Sequence, residues 1–329
     1  MNKNITFTIC SINYLAQAFT LGKSLEDTNP DVDFRIYVVD KFLEKKEVKH
    51  KSPFKIIEIE DLEISCFKKL FLQYDIIELN TAVKPYIFDF IFKNEQDVLN
   101  VIYFDPDIKV YNSLQELFQN LINYSTILTP HILTPSDSHP FGQEEVNFLS
   151  TGTFNLGFIG FSRKVESEKI LEWWKEKLLD QGYNNPIMHT FYDQKWMNLA
   201  PVYFDHVLIE KSPGYNIAAW NLHERELTQL GDIYFVNQHP LIFYHFSGVN
   251  IRSSDISRHS KFNLDQRPDL INILKDYRND VIKNGYDKYR DIPSFYKKKG
   301  TESPKLQSYL LSIIKKKLNL LFLYLKLFF

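Results

Sequence analysis

The stretch from Val101 to Ile108, which reads VIYFDPDI, joins a run of apolar residues to two carboxylates. Four consecutive residues that favour β structure predict a buried strand, and Asp105 and Asp107 follow where that strand must end. Pro106 between them has no N–H to donate to a sheet. Side chains two positions apart in extended backbone point to one side, so the two carboxylates are expected to face together, roughly 7 Å apart at their Cα atoms. The pattern predicts either a divalent-cation site at a strand end or a polar turn.

The segments that precede this stretch alternate between strand and helix patterns. Ile5 to Cys10 and Phe34 to Val39 are predicted strands, and a helix is predicted between them from Tyr14 to Leu25. None of the 11 glycines forms a dinucleotide-binding fingerprint, which disfavours a dinucleotide-binding domain. The one pair at P-loop spacing, Gly152 and Gly157, is followed by Phe158 where a P-loop needs lysine, which excludes a P-loop enzyme. The sequence therefore predicts an α/β fold in which ligands bind at the carboxyl ends of strands.

The amino-acid composition limits the classes of protein to which this chain can belong. Of the 329 residues, 44% are hydrophobic and 24% are charged, which is typical of a globular domain. The formal net charge of −2 provides no basic field, so we expect no nucleic-acid partner. Two cysteines cannot form a disulfide framework, and the first residues lack the apolar core of a signal peptide. These features predict a cytoplasmic location.

Lys84 and His245 are candidate ligand residues outside the acidic stretch. Lys84 is predicted in the first turn of a helix capped by Asn80 or Thr81, where it could reach a phosphate or be a solvated surface lysine. His245 lies within the predicted strand from Leu241 to Phe246, just before a Ser-Gly turn. A histidine in this setting is either a core residue or a metal ligand.

Two polar stretches are candidates for substrate contact. Residues 130–147 are irregular and are expected to form a lid or an acceptor-binding loop, with His131 and His139 solvated. Residues 214–225 concentrate aromatic and hydrogen-bonding side chains. That density suits a polar, ring-shaped ligand, and an ordered polar loop would look similar.

The end of the chain has a different character. Arg252 to Ile292 is predicted to be helical, and a basic triplet at residues 315–317 then precedes the almost wholly apolar run from Leu318 to Phe329. This run is too short to span a bilayer, for which about 20 apolar residues are needed. The tail, residues 301–329, is expected to lie as an amphipathic helix on an anionic membrane surface or to dock on protein.

Six motifs, taken in order, resemble those of GT-A glycosyltransferases. They are Thr8-Ile9-Cys10 with Asn13-Tyr14, Ala82-Val83-Lys84-Pro85-Tyr86, Tyr103-Phe104-Asp105-Pro106-Asp107-Ile108, Phe154-Asn155-Leu156-Gly157, Asp193-Gln194 and His245-Phe246-Ser247-Gly248. The chain is most similar to bacterial enzymes of surface-polysaccharide gene clusters, in the family 8-like group of glycogenin and the lipopolysaccharide galactosyltransferases. The resemblance implies a GT-A (Rossmann-like) mixed sheet flanked by helices over residues 1–250, with a helical C-terminal extension over 251–300.

The resemblance also implies a role for each matching residue. The residues expected to hold the uracil and ribose of a UDP-sugar are Thr8, Cys10, Asn13 and Tyr14. The residues expected to bind Mn²⁺ or Mg²⁺ are Asp105, Asp107 and His245, with Lys84 as a further cation near the diphosphate. The residues expected along the donor sugar and its phosphates are Asn155, Gly157, Asp193, Gln194 and Gly248. Asp193 is expected nearest the anomeric carbon.

The activity implied is transfer of a hexose from a UDP-sugar to a glycan or lipid-linked acceptor, with retention of configuration, in the biosynthesis of capsule or lipopolysaccharide at the inner face of the cytoplasmic membrane. If the reaction inverts instead, Asp193 or Glu224 is the expected general base. The Gly-Xaa-Lys-Pro-Trp ending common in this group is absent, because Val249, Asn250 and Ile251 follow Gly248. Two alternatives stay open, a sugar nucleotidyltransferase and a glycan-binding scaffold without turnover.

Overall fold

A seven-stranded mixed sheet forms the centre of the described protein, which comprises residues 3–41, 52–136 and 145–296 of a computed structural model. The strands in these ranges are β1 (Lys3–Cys10), β2 (Asp33–Val38), β3 (Lys55–Glu58), β4 (Val98–Phe104), β5 (Ile108–Val110), β6 (Thr126–Pro130), β7 (Phe154–Ser162), β8 (Val207–Ile209), β9 (Leu227–Leu230), β10 (Ile233–Val236), β11 (His239–Pro240) and β12 (Phe243–His245). Across the large sheet the order is β3, β2, β1, β4, β7, β6, β8. Strands β9, β10 and β11 form a second sheet, and β5 pairs with β12.

Helices cover both faces of the large sheet. The α-helices of the described ranges are α1 (Leu15–Thr28), α2 (Phe67–Gln73), α3 (Ile76–Ala82), α4 (Lys84–Asn94), α5 (Gln115–Asn123), α6 (Glu145–Thr151), α7 (Val165–Gln181), α8 (Ala200–Tyr203), α9 (Ile271–Lys283) and α10 (Tyr286–Tyr289). Short 3-10 segments lie at Ile12–Tyr14, Ile59–Leu62, Pro186–Met188, Lys195–Leu199 and Pro268–Leu270. One apolar layer joins α1, α5 and α9, and the other joins α4 and α7.

The direction of β7 brings distant parts of the chain to one edge of the sheet. Strands β1 and β4 run parallel, whereas β7 runs antiparallel to β4. The first residues of β7 therefore lie beside the last residues of β4, and the N–H of Asp105 donates to the carbonyl of Gly157 at 2.7 Å. Immediately afterwards β5 pairs with β12, where Ile108 lies opposite His245. These pairings place Asp105, Asp107 and His245 together.

Lys84 starts α4, and Pro85 occupies the first turn as predicted. The predicted caps are wrong, because Asn80 and Thr81 lie inside α3. Asp75 caps α3 instead, since its carboxylate accepts from the backbone N–H groups two and three residues later. The prediction placed the start of α4 too early and missed α3, which is separated from α4 by one residue.

The helical prediction from Arg252 is wrong for residues 252–267, which contain no helix. Side chains in this segment bond to nearby backbone N–H groups: Ser253 accepts from Asp255, Ser257 from His259, and Ser260 from Phe262. Such local bonds compete with helix formation. The segment instead forms turns that bring its residues to the edge of the sheet where the acidic cluster lies.

Two sequence predictions lie wholly or partly outside the described residues. The tail at 301–329 is one, and His139, in the predicted loop at 130–147, is the other. Within the described ranges, no helix combines the length and apolar character needed to cross a bilayer.

Candidate active site

Asp105, Asp107 and His245 form a three-residue cluster beyond the carboxyl end of β4. Nε2 of His245 lies 3.1 Å from Oδ1 of Asp107 and 3.6 Å from Oδ2 of Asp105. One ligand atom from each residue lies within 4.8 Å of the other two. Two carboxylate oxygens and an imidazole nitrogen are a donor set that suits Mn²⁺ and related divalent cations. The cluster can therefore hold a divalent cation.

Asn155 fixes the orientation of the His245 ring. Its Oδ1 accepts from the N–H of Gly157 at 3.1 Å and from Nδ2 of Asn216 at 3.2 Å, which identifies this atom as the amide oxygen. The same oxygen lies 3.1 Å from Nδ1 of His245, so Nδ1 must be the donor. A neutral His245 then presents the lone pair of Nε2 to the carboxylates, which is the tautomer that binds a cation.

Gly157 makes room for this ring. A Cβ at Gly157 would collide with Cε1 and Nδ1 of His245 and with Oδ1 of Asn155. The residue is buried within β7, opposite the end of β4. Any side chain at this position would displace the imidazole from the carboxylates.

Charges in the cluster alter one another's protonation. Burial lowers the pKa of His245, but Asp107 and Asp105 raise it more, so the net shift is upward. Burial also raises the pKa of Asp105, against the opposing effects of Lys84 and His245. The three side chains together therefore favour the binding of positive charge. A proton and a divalent cation would compete for the cluster.

Lys84 and Asp193 form a buried ion pair beside the cluster. Their side chains are 1% and 3% exposed, and Nζ of Lys84 lies 2.6 Å from Oδ2 of Asp193. Nζ also donates to the carbonyl of Leu156 at 2.8 Å. The indole N–H of Trp174 donates to the backbone carbonyl of Asp193 at 3.2 Å, which anchors the segment. Lys84 is therefore not the solvated lysine considered from the sequence.

A first cavity, of about 450 Å³, opens on Asp107. Its walls include Tyr14, Gly248 and Arg258. Burial raises the pKa of Tyr14, and the nearby Asp107 adds to that shift while Arg258 opposes it. Gly248 has φ +70°, and a Cβ there would collide with His259 and Arg258. This glycine allows the segment at 258–259 to pack against the turn that follows β12.

A second cavity, of about 580 Å³, adjoins the first, and Ser247 and Arg258 line both. Its walls include Asn155, Gln194 and the aromatic rings of Trp220 and Phe191. Gln194 is held in place because its Oε1 accepts from the N–H of Leu156 at 3.1 Å. Polar groups among aromatic rings are the usual composition of a small-ligand site.

His131 also lines the second cavity, contrary to the expectation that it is solvated. Its side chain is buried, and burial lowers its pKa to about 4, so the ring is neutral at pH 7. Nδ1 of His131 lies 3.3 Å from the carbonyl oxygen of Thr153, and Nε2 lies 3.4 Å from Nδ2 of Asn155. The ring therefore contributes shape and hydrogen bonding rather than charge.

Several residues that were predicted to hold the uracil and ribose of the UDP-sugar lie away from the two cavities. Thr8 and Cys10 are buried in β1 and line neither cavity, and Asn13 is half-buried in the 3-10 segment after that strand. Burial raises the pKa of the Cys10 thiol far above its usual range. Tyr14 is the one residue of this predicted group that lines either cavity.

Glu224 is held in a loop contact. Its carboxylate accepts from the backbone N–H groups of Leu133 and Thr134, at 2.7–3.0 Å, and from the Thr134 hydroxyl at 2.7 Å. The side chain is 6% exposed and lies beside Arg225. These bonds give the carboxylate a role in fixing the loop after β6, and it lines neither cavity.

Sequence reasoning missed Tyr103 and Arg258, whereas Trp220 lies in the stretch 214–225 that was predicted to suit a ring-shaped ligand and lines the second cavity. The period of two along a strand could have identified Tyr103, because it shares a face with Asp105. Trp220 packs edge-on against His245 at 5.3 Å between ring centroids, a tertiary contact that no local pattern predicts. Arg258 lies in the segment that was predicted to be helical.

A sequence comparison identifies a relative of this chain. The uncharacterized protein YfnF of Bacillus subtilis strain 168 is 31% identical over 254 residues, which cover 75% of this chain and 82% of YfnF. The chain belongs to the YfnF family. No model of a known protein family matches the sequence.

The fold of this chain is similar to that of a solved structure. The apo structure of the bifunctional glycosyltransferase WbbM superposes with a TM-score of 0.50 at 14% identity, covering 86% of this chain and 52% of WbbM. The galactosyltransferase LgtC, solved with donor and acceptor sugar analogues, has a TM-score of 0.48 at 15% identity and covers 88% of this chain and 97% of LgtC. With the mixed seven-stranded sheet, the WbbM superposition confirms the predicted GT-A fold.

Replacing Gly157 by alanine is expected to weaken Mn²⁺ binding at least about tenfold, because the new Cβ displaces the imidazole of His245. Titration followed by the electron paramagnetic resonance signal of free Mn²⁺ measures this. Gly160→Ala, in the same strand, is the matched control, since the atoms nearest to its Cβ would be side-chain carbons of Ile102 and Leu121, at 3.3 and 3.4 Å. Wild-type Mn²⁺ affinity in the Gly157 variant would contradict the packing argument.

Proposed function

We propose that the protein is a metal-dependent glycosyltransferase that moves a hexose from a UDP-sugar to a glycan or lipid-linked acceptor. The observation that carries the proposal is the adjacency of the Asp105, Asp107 and His245 cluster to two adjoining cavities, with a buried ion pair beside it. A divalent cation held by the cluster would bind the diphosphate of the UDP-sugar. The two cavities that meet beside the cluster would bind the sugar donor and the acceptor.

The first cavity suits the nucleotide part of the donor. Tyr14 is 44% exposed as a residue and lines this cavity, so a pyrimidine base can stack on its ring. Asp107 and Arg258 line the same cavity, and the diphosphate would lie between them. A bound Mn²⁺ or Mg²⁺ would act as a Lewis acid that stabilises the charge of the departing UDP.

Arg258 supplies a positive charge where the two cavities meet. Its Nε donates to Nε2 of His259 at 3.1 Å, and among the described residues its terminal guanidinium nitrogens have no hydrogen-bond partner. Lys84 cannot take this role without leaving Asp193 and the carbonyl of Leu156. We therefore assign the contact with the leaving diphosphate to Arg258, because the guanidinium can form two parallel bonds to phosphate oxygens.

The second cavity suits the donor sugar and the acceptor. Asn155 and Gln194 provide hydrogen-bonding groups on the side near the cluster, and the rings of Trp220 and Phe191 offer apolar faces against which a sugar can pack. Neither Asp193 nor Lys84 lines this cavity. The Lys84–Asp193 pair would lie behind the wall of the second cavity, where its fixed charges would act on the bound donor without contacting it.

This placement bears on the stereochemical proposal. Asp193 is buried and lines neither cavity, and direct attack on the anomeric carbon would require its side chain to turn out of the ion pair with Lys84, at the cost of leaving a buried charge unpaired. The structure therefore favours retention by leaving-group assistance. The acceptor hydroxyl forms the new C–O bond on the face from which UDP departs, and its proton passes to the β-phosphate oxygen as the anomeric C–O bond breaks.

The cellular setting is proposed from the sequence. A basic triplet followed by an apolar run suits peripheral attachment of residues 301–329 to the inner face of the cytoplasmic membrane. A lipid-linked acceptor for capsule or lipopolysaccharide synthesis would be available at that surface.

Release of UDP from a panel of UDP-sugars, with Mn²⁺, with Mg²⁺ and with EDTA, tests the reaction class. We expect hydrolysis or transfer of one donor that depends on the metal. Asp105→Asn should lower the rate at least about a hundredfold, because it removes a charge that positions the cation at the leaving group.

Asp180→Asn is the matched control for that experiment. Asp180 is a 58% exposed carboxylate paired with Lys69, so its loss should leave turnover unchanged. If no donor is consumed but UDP with Mn²⁺ still raises the melting temperature, the protein is a binding module with the same site. Turnover that persists in EDTA and in the Asp105 variant would overturn the assignment of the cluster.

Arg258→Ala is expected to weaken UDP binding about tenfold or more in saturating Mn²⁺, since it removes a charge-assisted hydrogen bond worth about 1.5–3 kcal/mol. Isothermal titration calorimetry with UDP measures the change. Arg252→Ala is the control, because Arg252 lies in the same segment and pairs with Asp287. Equal UDP affinity in both variants would show that Arg258 does not contact the diphosphate.

A further inference from the structure

We infer that Tyr103 is a positioning residue that makes Asp105 a one-oxygen ligand of the cation, an inference that rests on the cation site proposed above. The Tyr103 side chain is buried at the end of β4 and is 3% exposed. Its hydroxyl donates to Oδ1 of Asp105. Oδ2 of the same carboxylate lies on the side of His245, at 3.6 Å from Nε2. Oδ1 of Asp105 therefore bonds to Tyr103, and Oδ2 is the oxygen available to a cation.

The backbone of Asp105 is fixed independently of this contact. Its N–H donates to the carbonyl of Gly157 at 2.7 Å, and its carbonyl accepts from the N–H of Ile108 at 3.1 Å. What remains free is rotation of the carboxylate about its side-chain bonds. The phenol of Tyr103 restricts that rotation, because a bond to Oδ1 leaves only Oδ2 directed at the cluster.

In the part of the chain that the structure describes, no group outside the cluster bonds to the carboxylate of Asp107. Among the described residues, its carboxylate has the contact with Nε2 of His245 at 3.1 Å, and it lines the open first cavity. The rigid ligand is thus Asp105, and Asp107 can adjust to the cation and the diphosphate. Restraint by a hydrogen-bonded partner outside the ligand set commonly changes metal affinity by about 10–100-fold.

The same ring also borders the buried ion pair. Nζ of Lys84 lies 4.2 Å from the centroid of the Tyr103 ring, while it bonds to Asp193 and to the carbonyl of Leu156. The Tyr103 ring also packs against the ring of Phe7, with 5.2 Å between the two centroids. Phenylalanine at this position would keep the ring, the Lys84 contact and the packing, and would remove only the bond to Asp105.

Tyr103→Phe in the full chain is therefore a specific test. Without any nucleotide, Mn²⁺ affinity measured by the paramagnetic signal of the free ion should fall about tenfold or more. Turnover of the donor should need correspondingly more Mn²⁺ and should approach the wild-type rate once Mn²⁺ is saturating. A residue that only supports the fold would not shift the Mn²⁺ requirement in this way.

Tyr74→Phe is the matched control. Tyr74 is also fully buried, and its hydroxyl donates to the carbonyl of Leu178 at 2.6 Å and accepts from the N–H of Gly182 at 2.8 Å. We expect this variant to have a lower melting temperature and wild-type Mn²⁺ affinity.

The outcomes separate this inference from the proposed function. Wild-type affinity in Tyr103→Phe, or an equal loss in Tyr103→Phe and Tyr74→Phe, overturns the positioning role and leaves the cation site in place. Absence of Mn²⁺ binding by the wild-type protein overturns the cation site and the role of Tyr103 together. Selective loss in Tyr103→Phe supports the inference.

Discussion

The antiparallel pairing of β7 with β4 is the constraint on which the site depends. It sets the carbonyl of Gly157 against the N–H of Asp105 and so fixes where the acidic turn begins. Because β7 runs opposite to β4, its first residues, including Asn155, lie where β4 ends. The pairing of β5 with β12 then adds His245 from far along the chain. Residues from three separate segments meet because two strand pairings are satisfied at once: the two aspartates, Asn155 and His245.

Buried charge gives the site its rigidity. Removing Lys84 and Asp193 from water is costly, and the cost is offset by their mutual bond and by the carbonyl of Leu156. Loss of one partner would strand a buried charge, which typically costs about 3–5 kcal/mol. Tyr103 lies between this pair and Asp105, so the ion pair and the cation cluster share one wall. Such an arrangement is formed before any substrate binds, which is how fixed charges contribute to catalysis.

The sequence predicted the parts of the site that follow from local rules. An apolar run that ends in two carboxylates required Asp105 and Asp107 to lie at a strand end, and the structure places them there beside His245. Glu224 could not be judged in this way, because its bonds to Leu133 and Thr134 join residues about 90 positions apart. Arg258 was missed for the same reason, since only the turns of residues 252–267 bring it to Gly248.

A crystal structure of the protein with Mn²⁺ and UDP, with anomalous scattering used to locate the metal, tests the central claim most directly. The account predicts one manganese peak within about 2.6 Å of Nε2 of His245 and of one oxygen from each of Asp105 and Asp107. It also predicts the diphosphate on that ion and the uracil against Tyr14. A nucleotide bound elsewhere, or an ordered UDP in this cavity with no manganese between the two aspartates, would contradict it.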